Sequence, residues 1–271
     1  MKSYLSDSEA LPLFRANVLG KYDVQYFRCP QTGYIQTETP YWLDEAYASA
    51  ITTLDIGLVQ RNLDLRKRVL PILKQFFDPQ ATFLDYAGGY GLFVRLMRDA
   101  GLNFYRQDPY CQNLLAEHFD EAQLPDNTTI ELVTAFEVFE HWVNPIEDLK
   151  KVLSYSRNIL FSTLLQPEPP PQKPEDWWYF TPEMGQHISL YTRPALQQLA
   201  ERFGLYFYTD GVGLHLFTEQ ALPQDPFRWE QKLSFRLLDK LHRLLHRFDS
   251  RRQPELPSRL NTDFRQLKKN M

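Results

Sequence analysis

The sequence predicts an α/β protein built on a doubly wound, mostly parallel sheet, with an antiparallel hairpin at one edge and appendages at both ends. Strand-like and helix-like segments alternate from residue 81 to 203, the pattern that lays helices over both faces of a parallel sheet. Two further strand-like pieces, 205–209 and 213–218, are divided by a turn containing Asp210 and Gly211, which pairs them as a hairpin. A glycine-rich turn, Ala87-Gly88-Gly89-Tyr90-Gly91, stands where the first strand meets the first helix, the edge at which open α/β sheets bind ligands.

Residues 1–40 form an extension of short extended pieces broken by turns, among them Arg28-Cys29-Pro30-Gln31-Thr32-Gly33. A linker or lid follows over 41–78, made helical by Leu63, Leu65, Val69, Leu70 and Leu73 and stopped by Asp78-Pro79. The main domain occupies 79–222. Its strands are expected at 81–86, 103–107, 130–136 and 157–165, and its helices at 92–100, 109–118, 146–153 and 193–203. Two segments stand outside the alternation. Residues 166–186 hold six prolines and the run Trp177-Trp178-Tyr179-Phe180. Residues 223–271 are a basic helix and tail, with Leu237, Leu241, Leu244, Leu245 and Phe248 on one helical face.

At 43% hydrophobic and 24% charged residues the composition is that of a globular protein rather than a disordered chain. The first residues lack the basic and apolar blocks of a signal peptide, no apolar run reaches the roughly 18 residues that cross a bilayer, and Cys29 and Cys111 are unrelated. A cytoplasmic location is the expectation. Residues 225–271 carry 12 Lys/Arg against 6 Asp/Glu, whereas the rest carries 18 against 28. The acidic body argues against a nucleic-acid partner, and the tail helix is expected to dock on the body or on a second copy rather than on a membrane.

The glycine turn is flanked by two strand-end carboxylates, Asp85 before it and Asp108 closing the second strand 23 residues later. Glycines let the backbone turn sharply against a ligand, and the second acid falls where such folds reach a ribose. A dinucleotide site would need Gly-x-Gly-x-x-Gly, but Val94 stands at the third position. An acid before the turn suits a ligand with an ammonium group instead.

Leu84-Asp85-Tyr86-Ala87-Gly88-Gly89-Tyr90-Gly91 resembles the first motif of class I S-adenosylmethionine (SAM)-dependent methyltransferases. The stretch 132–141, which ends in Glu140-His141 and is followed by Pro145, resembles the fourth-strand motif of a subgroup that includes sugar C-methyltransferases. His187-Ile188-Ser189-Leu190-Tyr191-Thr192-Arg193 resembles that subgroup's later segment. The resemblance covers roughly residues 80–220 and implies the class I methyltransferase fold, with SAM as cofactor. It implies that Asp85, Tyr86, Ala87, Gly88, Gly89 and Gly91 hold the methionine part and Asp108 the ribose hydroxyls. Phe136 and Glu137 would then lie beside the sulfonium. The usual adenine-contacting pair has no counterpart in 121–129.

His187 and His141 are the expected catalytic residues, His187 as base, by resemblance to the subgroup's histidine in a similar segment. The acceptor is expected to be a small molecule, sugar-linked in the enzymes of that subgroup. Ala87 in place of a glycine and the missing adenine pair favour an alternative, a non-catalytic SAM-binding interaction module. No metal is expected. The six histidines show no ligand-like spacing, and the stretch from Cys29 resembles a zinc knuckle whose second cysteine is Thr32, far short of four ligands.

Overall fold

The computed structural model describes residues 1–6, 8–48 and 56–228. Two sheets organise them. The small antiparallel sheet runs β1 (Leu11–Val18), β2 (Tyr22–Arg28), β3 (Ile35–Thr37) and β8 (Ser189–Leu190). The main sheet contains β4 (Thr82–Tyr86), β5 (Asn103–Gln107), β6 (Ile130–Phe136), β7 (Ile159–Ser162), β9 (Tyr206–Thr209) and β10 (Leu214–Thr218), in the order β5-β4-β6-β7-β10-β9. Strands β4 to β7 are mutually parallel, and β10 is antiparallel to both β7 and β9. This is the predicted mixed α/β fold with a mostly parallel sheet and an antiparallel pair at the edge.

Alternation along the strands explains why both faces are covered, since successive side chains point to opposite sides. Phe83, Leu132, Leu160 and Leu216 pack in one core with α2 (Leu58–Phe76) and α3 (Leu92–Asp99). Their neighbours Leu84, Val133, Phe161 and Phe217 pack in another with α4 (Pro145–Leu153) and α5 (Arg193–Arg202). Asn144 and Thr192 cap α4 and α5 with side-chain oxygens, each just before a proline-containing first turn. The expected helix over 41–77 is observed as α1 (Leu43–Ala46) and α2.

The small sheet has its own core, in which Val18, Val24, Tyr26 and Ile35 meet Trp177, Tyr179 and Phe180 of the proline-rich segment. The Phe180 ring stands edge-on to Phe14 and Tyr26. Trp177, Tyr179 and Phe180 therefore anchor that segment, while Trp178 is 70% exposed. Cys29 is fully buried, with the Ser6 and Ser8 hydroxyls 3.3 Å from its sulfur. Burial pushes its thiol up, but hydrogen bonds from Ser6, Ser8 and Thr32 outweigh burial and bring it to about 6.

The helix expected at 109–118 does not form, and the segment is a chain of turns. Side chains claim the backbone groups a helix would need. Asp108 Oδ1 accepts the N–H groups of Tyr110 and Cys111, and Arg106 Nη1 donates to the Cys111 carbonyl. Asn113 accepts the Ala116 N–H and donates to its carbonyl. The sheet beyond β5 consequently shrinks to a single parallel bridge, Arg106 with Asp120. From residue 229 onward the basic helix and tail expected over 223–271 lie outside the described residues. Phe227 is buried in the core with α2 and α3.

Candidate active site

Two clusters meet the carboxyl edge of the parallel strands. The first is the glycine turn between β4 and α3. Asp85 is 3% exposed and accepts a 2.6 Å hydrogen bond from the Thr134 hydroxyl on β6. Burial pushes its carboxyl up, the Thr134 bond lowers it, and the nearby Asp108 charge raises it further, to about 7. A Cβ at Gly88 would lie 2.7 Å from Asp85 Oδ2, so only glycine lets the turn lie this close over the buried carboxylate. Gly91, at φ +83°, begins α3 where a Cβ would strike Asn113.

The turn is held from behind by two residues of the second strand. Asp108 Oδ2 accepts the Gly89 N–H at 2.9 Å. Arg106 is buried, donates to the Gly89 and Cys111 carbonyls, and pairs with Asp120 at 2.6 Å. Ala87 sits at φ +54°, a left-handed backbone that strains any residue with a Cβ.

The second cluster follows β6. Glu137 also has a positive φ, +56°. Its N–H donates to the Ser162 oxygen, and the Ser162 hydroxyl donates back to Oε1 at 2.6 Å. Burial and the neighbouring Glu140 raise its carboxyl above the ordinary range. The next turn carries Glu140 and His141, and the segment leading into β8 returns His187 beside them. The His141 and His187 rings meet edge to face, 5.1 Å apart. His187 Nδ1 lies 2.6 Å from the Tyr179 carbonyl and His141 Nδ1 3.2 Å from the Gln186 carbonyl. A carbonyl only accepts, so both rings carry their proton on Nδ1 and turn Nε2 free. The Tyr47 hydroxyl stands 3.0 Å from His141 Nδ1. Burial, and then the adjacent His187, lower His141 to about 3, which keeps it neutral. Glu140 is fully buried and accepts the Tyr179 hydroxyl at 2.6 Å.

A family model described as a methyltransferase domain matches residues 58–209, which takes in α2, the glycine turn and His187. The chain belongs to that family. Its cofactor is S-adenosylmethionine, the methyl donor. No curated protein matches the chain. Among solved structures it is similar to TnmH, at 17% identity over 67% of this chain and 62% of that one, with a TM-score of 0.46. It is also similar to an O-methyltransferase family protein from Burkholderia thailandensis, at 14% over 66% and 68%, TM-score 0.46. A third is CalO1, a methyltransferase in calicheamicin biosynthesis in its SAH-bound form, at 14% over 59% and 55%, TM-score 0.40. The matched part spans 43% of OxaC and 62% of TnmH.

The residues present fit that cofactor. The cradle around Asp85 Oδ2 would be filled by any Cβ at Gly88, and an acid held there offers a partner to an ammonium group. Asp85, Ala87, Gly88, Gly89, Gly91 and Asp108 are brought together around one turn. Tyr86 is half-buried, its ring 6.2 Å from Tyr155, and Phe136 packs edge-on to Phe93 at 4.9 Å. Glu137, His141 and His187 form the second group. Arg106, Thr134, Glu140, Tyr47 and Tyr179 are given no site role by the sequence. Glu140 could have been given one, as the acid directly before His141. The others carry no local signal, because their roles arise only from strand pairing or from segments far apart in the chain.

Among the described residues, no helix is long and apolar enough to cross a membrane.

Proposed function

We propose that this methyltransferase domain transfers the methyl group of SAM to a small-molecule acceptor seated over the Glu140–His141–His187 cluster. SAM supplies a methyl on a sulfonium that is ready for in-line displacement, so the protein's task is mainly alignment. Asp85 and the 87–91 turn hold the ammonium and carboxylate of its methionine end. Asp108, anchored on Gly89, keeps acceptor capacity for the ribose hydroxyls. Phe136 and Glu137, at the end of the adjacent strand, flank the sulfonium. His187 draws the acceptor's proton away through its free Nε2 atom when the acceptor atom is a hydroxyl oxygen or an acidic carbon, with the neutral His141 ring packed beside it. A sugar-linked acceptor suits this polar cluster, which offers lone pairs to hydroxyl groups.

The observation that carries this reading is the buried Asp85 beneath a glycine turn, one strand away from two histidines whose proton positions are fixed by backbone carbonyls. The test is SAH formation from SAM in the presence of a panel of hydroxylated small molecules, with SAM binding measured in parallel. Turnover on one of them supports the enzyme. Tight SAM binding without turnover on any acceptor supports the alternative, a cofactor-binding interaction module.

A further inference from the structure

Glu140, His141 and His187 each offer a ligand-capable atom, and these atoms lie within 4.8 Å of one another. Which atoms are available follows from the hydrogen bonds. Glu140 Oε1 is taken by the Tyr179 hydroxyl, while Oε2 is buried in a fully buried residue and has no hydrogen-bond partner. Each histidine has committed Nδ1 to a backbone carbonyl. Among the described residues, neither Nε2 makes a hydrogen bond.

Among the described residues, Glu140 Oε2 and the two Nε2 atoms are therefore lone-pair acceptors without a donor, in a cluster whose ligand-capable atoms lie within 4.8 Å of one another. An unpartnered buried carboxylate oxygen is costly, and an arrangement of acceptors alone is satisfied by a cation. The surroundings fit one. A metal-bound histidine characteristically donates its other ring N–H to a backbone carbonyl or carboxylate, and a ligating carboxylate is itself hydrogen-bonded. Both features are present, in the Tyr179 and Gln186 carbonyls and the Tyr179 hydroxyl. Two imidazoles and one carboxylate form the ligand set that holds zinc or iron(II) with coordination positions left open.

We propose that Glu140, His141 and His187 bind one divalent transition-metal ion, with open positions for the oxygen of a hydroxylated acceptor. With the ion bound, both Nε2 atoms are ligands, so the ion takes over from the imidazoles the task of activating the acceptor hydroxyl; the site rests on the reading above only for what the ion does. The bound hydroxyl loses its proton to water, and a lone pair of its oxygen forms the new bond to the methyl carbon. The carbon–sulfur bond breaks with its electron pair, which leaves a neutral thioether. Glu137 adds a further negative charge near the site, and Arg61, within electrostatic reach of Glu137 and His141, opposes it.

The probe is Co²⁺, titrated into the full-length, tag-free chain after EDTA treatment and followed by its visible absorption and by calorimetry. The expected result is one equivalent bound. Glu140→Gln and His187→Gln should weaken it at least as much as the roughly 10–100-fold expected for losing an outer-shell partner, and Tyr179→Phe should fall within that range. Calorimetric SAM binding by the same samples reports that each variant is folded. Wild-type protein that binds SAM but no stoichiometric Co²⁺ overturns the metal site and leaves methyl transfer standing. Co²⁺ binding unchanged in both ligand variants overturns it equally. Failure of SAM binding by the wild type, with Co²⁺ binding intact, would instead remove the proposed function and keep the metal site.

Discussion

The two ends of the site are built on opposite plans. At the glycine turn, almost every polar group already has a partner within the protein. Arg106 ties Gly89 and Cys111, Asp108 ties Gly89, Tyr110 and Cys111, and Thr134 ties Asp85. At the cluster after β6 the side chains are fixed by atoms on their far sides, so that, among the described residues, Glu140 Oε2 and the two Nε2 atoms make no hydrogen bond. The first region is a rigid socket shaped by backbone and small residues. The second is a set of aimed lone pairs. The contrast suits an enzyme whose cofactor is always the same and whose acceptor must be both gripped and chemically activated.

The largest effect expected of this contrast lies at the second region. His187→Gln should lower kcat roughly 10²–10⁴-fold on whichever acceptor proves active, with SAM affinity unchanged. If kcat holds and thermal stability falls instead, the two regions do not divide the work in this way. Next comes the socket. Gly88→Ala puts a Cβ 2.7 Å from Asp85 Oδ2 and 2.8 Å from Arg106 Cγ, an overpacking that costs about 1–3 kcal/mol. That cost should appear as weakened SAM binding in calorimetry while Co²⁺ binding persists.

How far each region was legible in the sequence follows from the same contrast. The socket is local: Asp85, the turn and Asp108 lie within 24 residues of one another, and glycine spacing together with strand-end acids exposes them. The alternating strands and helices were legible for the same reason, since period and turn chemistry act over a few residues. The cluster is non-local. Glu140 and His141 are neighbours rather than residues one helical turn apart, His187 returns 46 residues after His141, and Tyr47 comes from 94 residues before it. No spacing rule connects them. The four-stranded N-terminal sheet was hidden in the same way, because its last strand is borrowed from Ser189–Leu190. The helix misread at 109–118 failed for a different reason. Its residues tolerate a helix, but Arg106, Asp108 and Asn113 offer the backbone better-placed partners.

A smaller effect should appear with pH. Asp85 titrates at about 7 in the folded protein against an ordinary value of 3.8. Because the folded value is the higher one, its contribution to stability is full below pH about 4 and is lost as pH rises through about 7. SAM binding should run the opposite way. Its ammonium group pairs with the ionised acid, so affinity should rise about tenfold between pH 6 and pH 8, and Asp85→Asn should flatten both slopes. Flat profiles in the wild type would mean that the acid is not the group the ammonium meets. Smallest of all is Ala87→Gly. Relieving a left-handed alanine at φ +54° should raise stability by about 0.5–1 kcal/mol, the strain of a left-handed residue less the extra freedom glycine gains in the unfolded chain, as read from chemical denaturation.

The most direct measurement is calorimetric titration of SAM into the wild type and Asp85→Asn at pH 8. A buried carboxylate that meets the cofactor's ammonium predicts binding by the wild type with one site per chain. It also predicts a loss of roughly 1.5–3 kcal/mol in the variant. Equal affinity in the two proteins would contradict the assignment of the glycine turn as the cofactor socket.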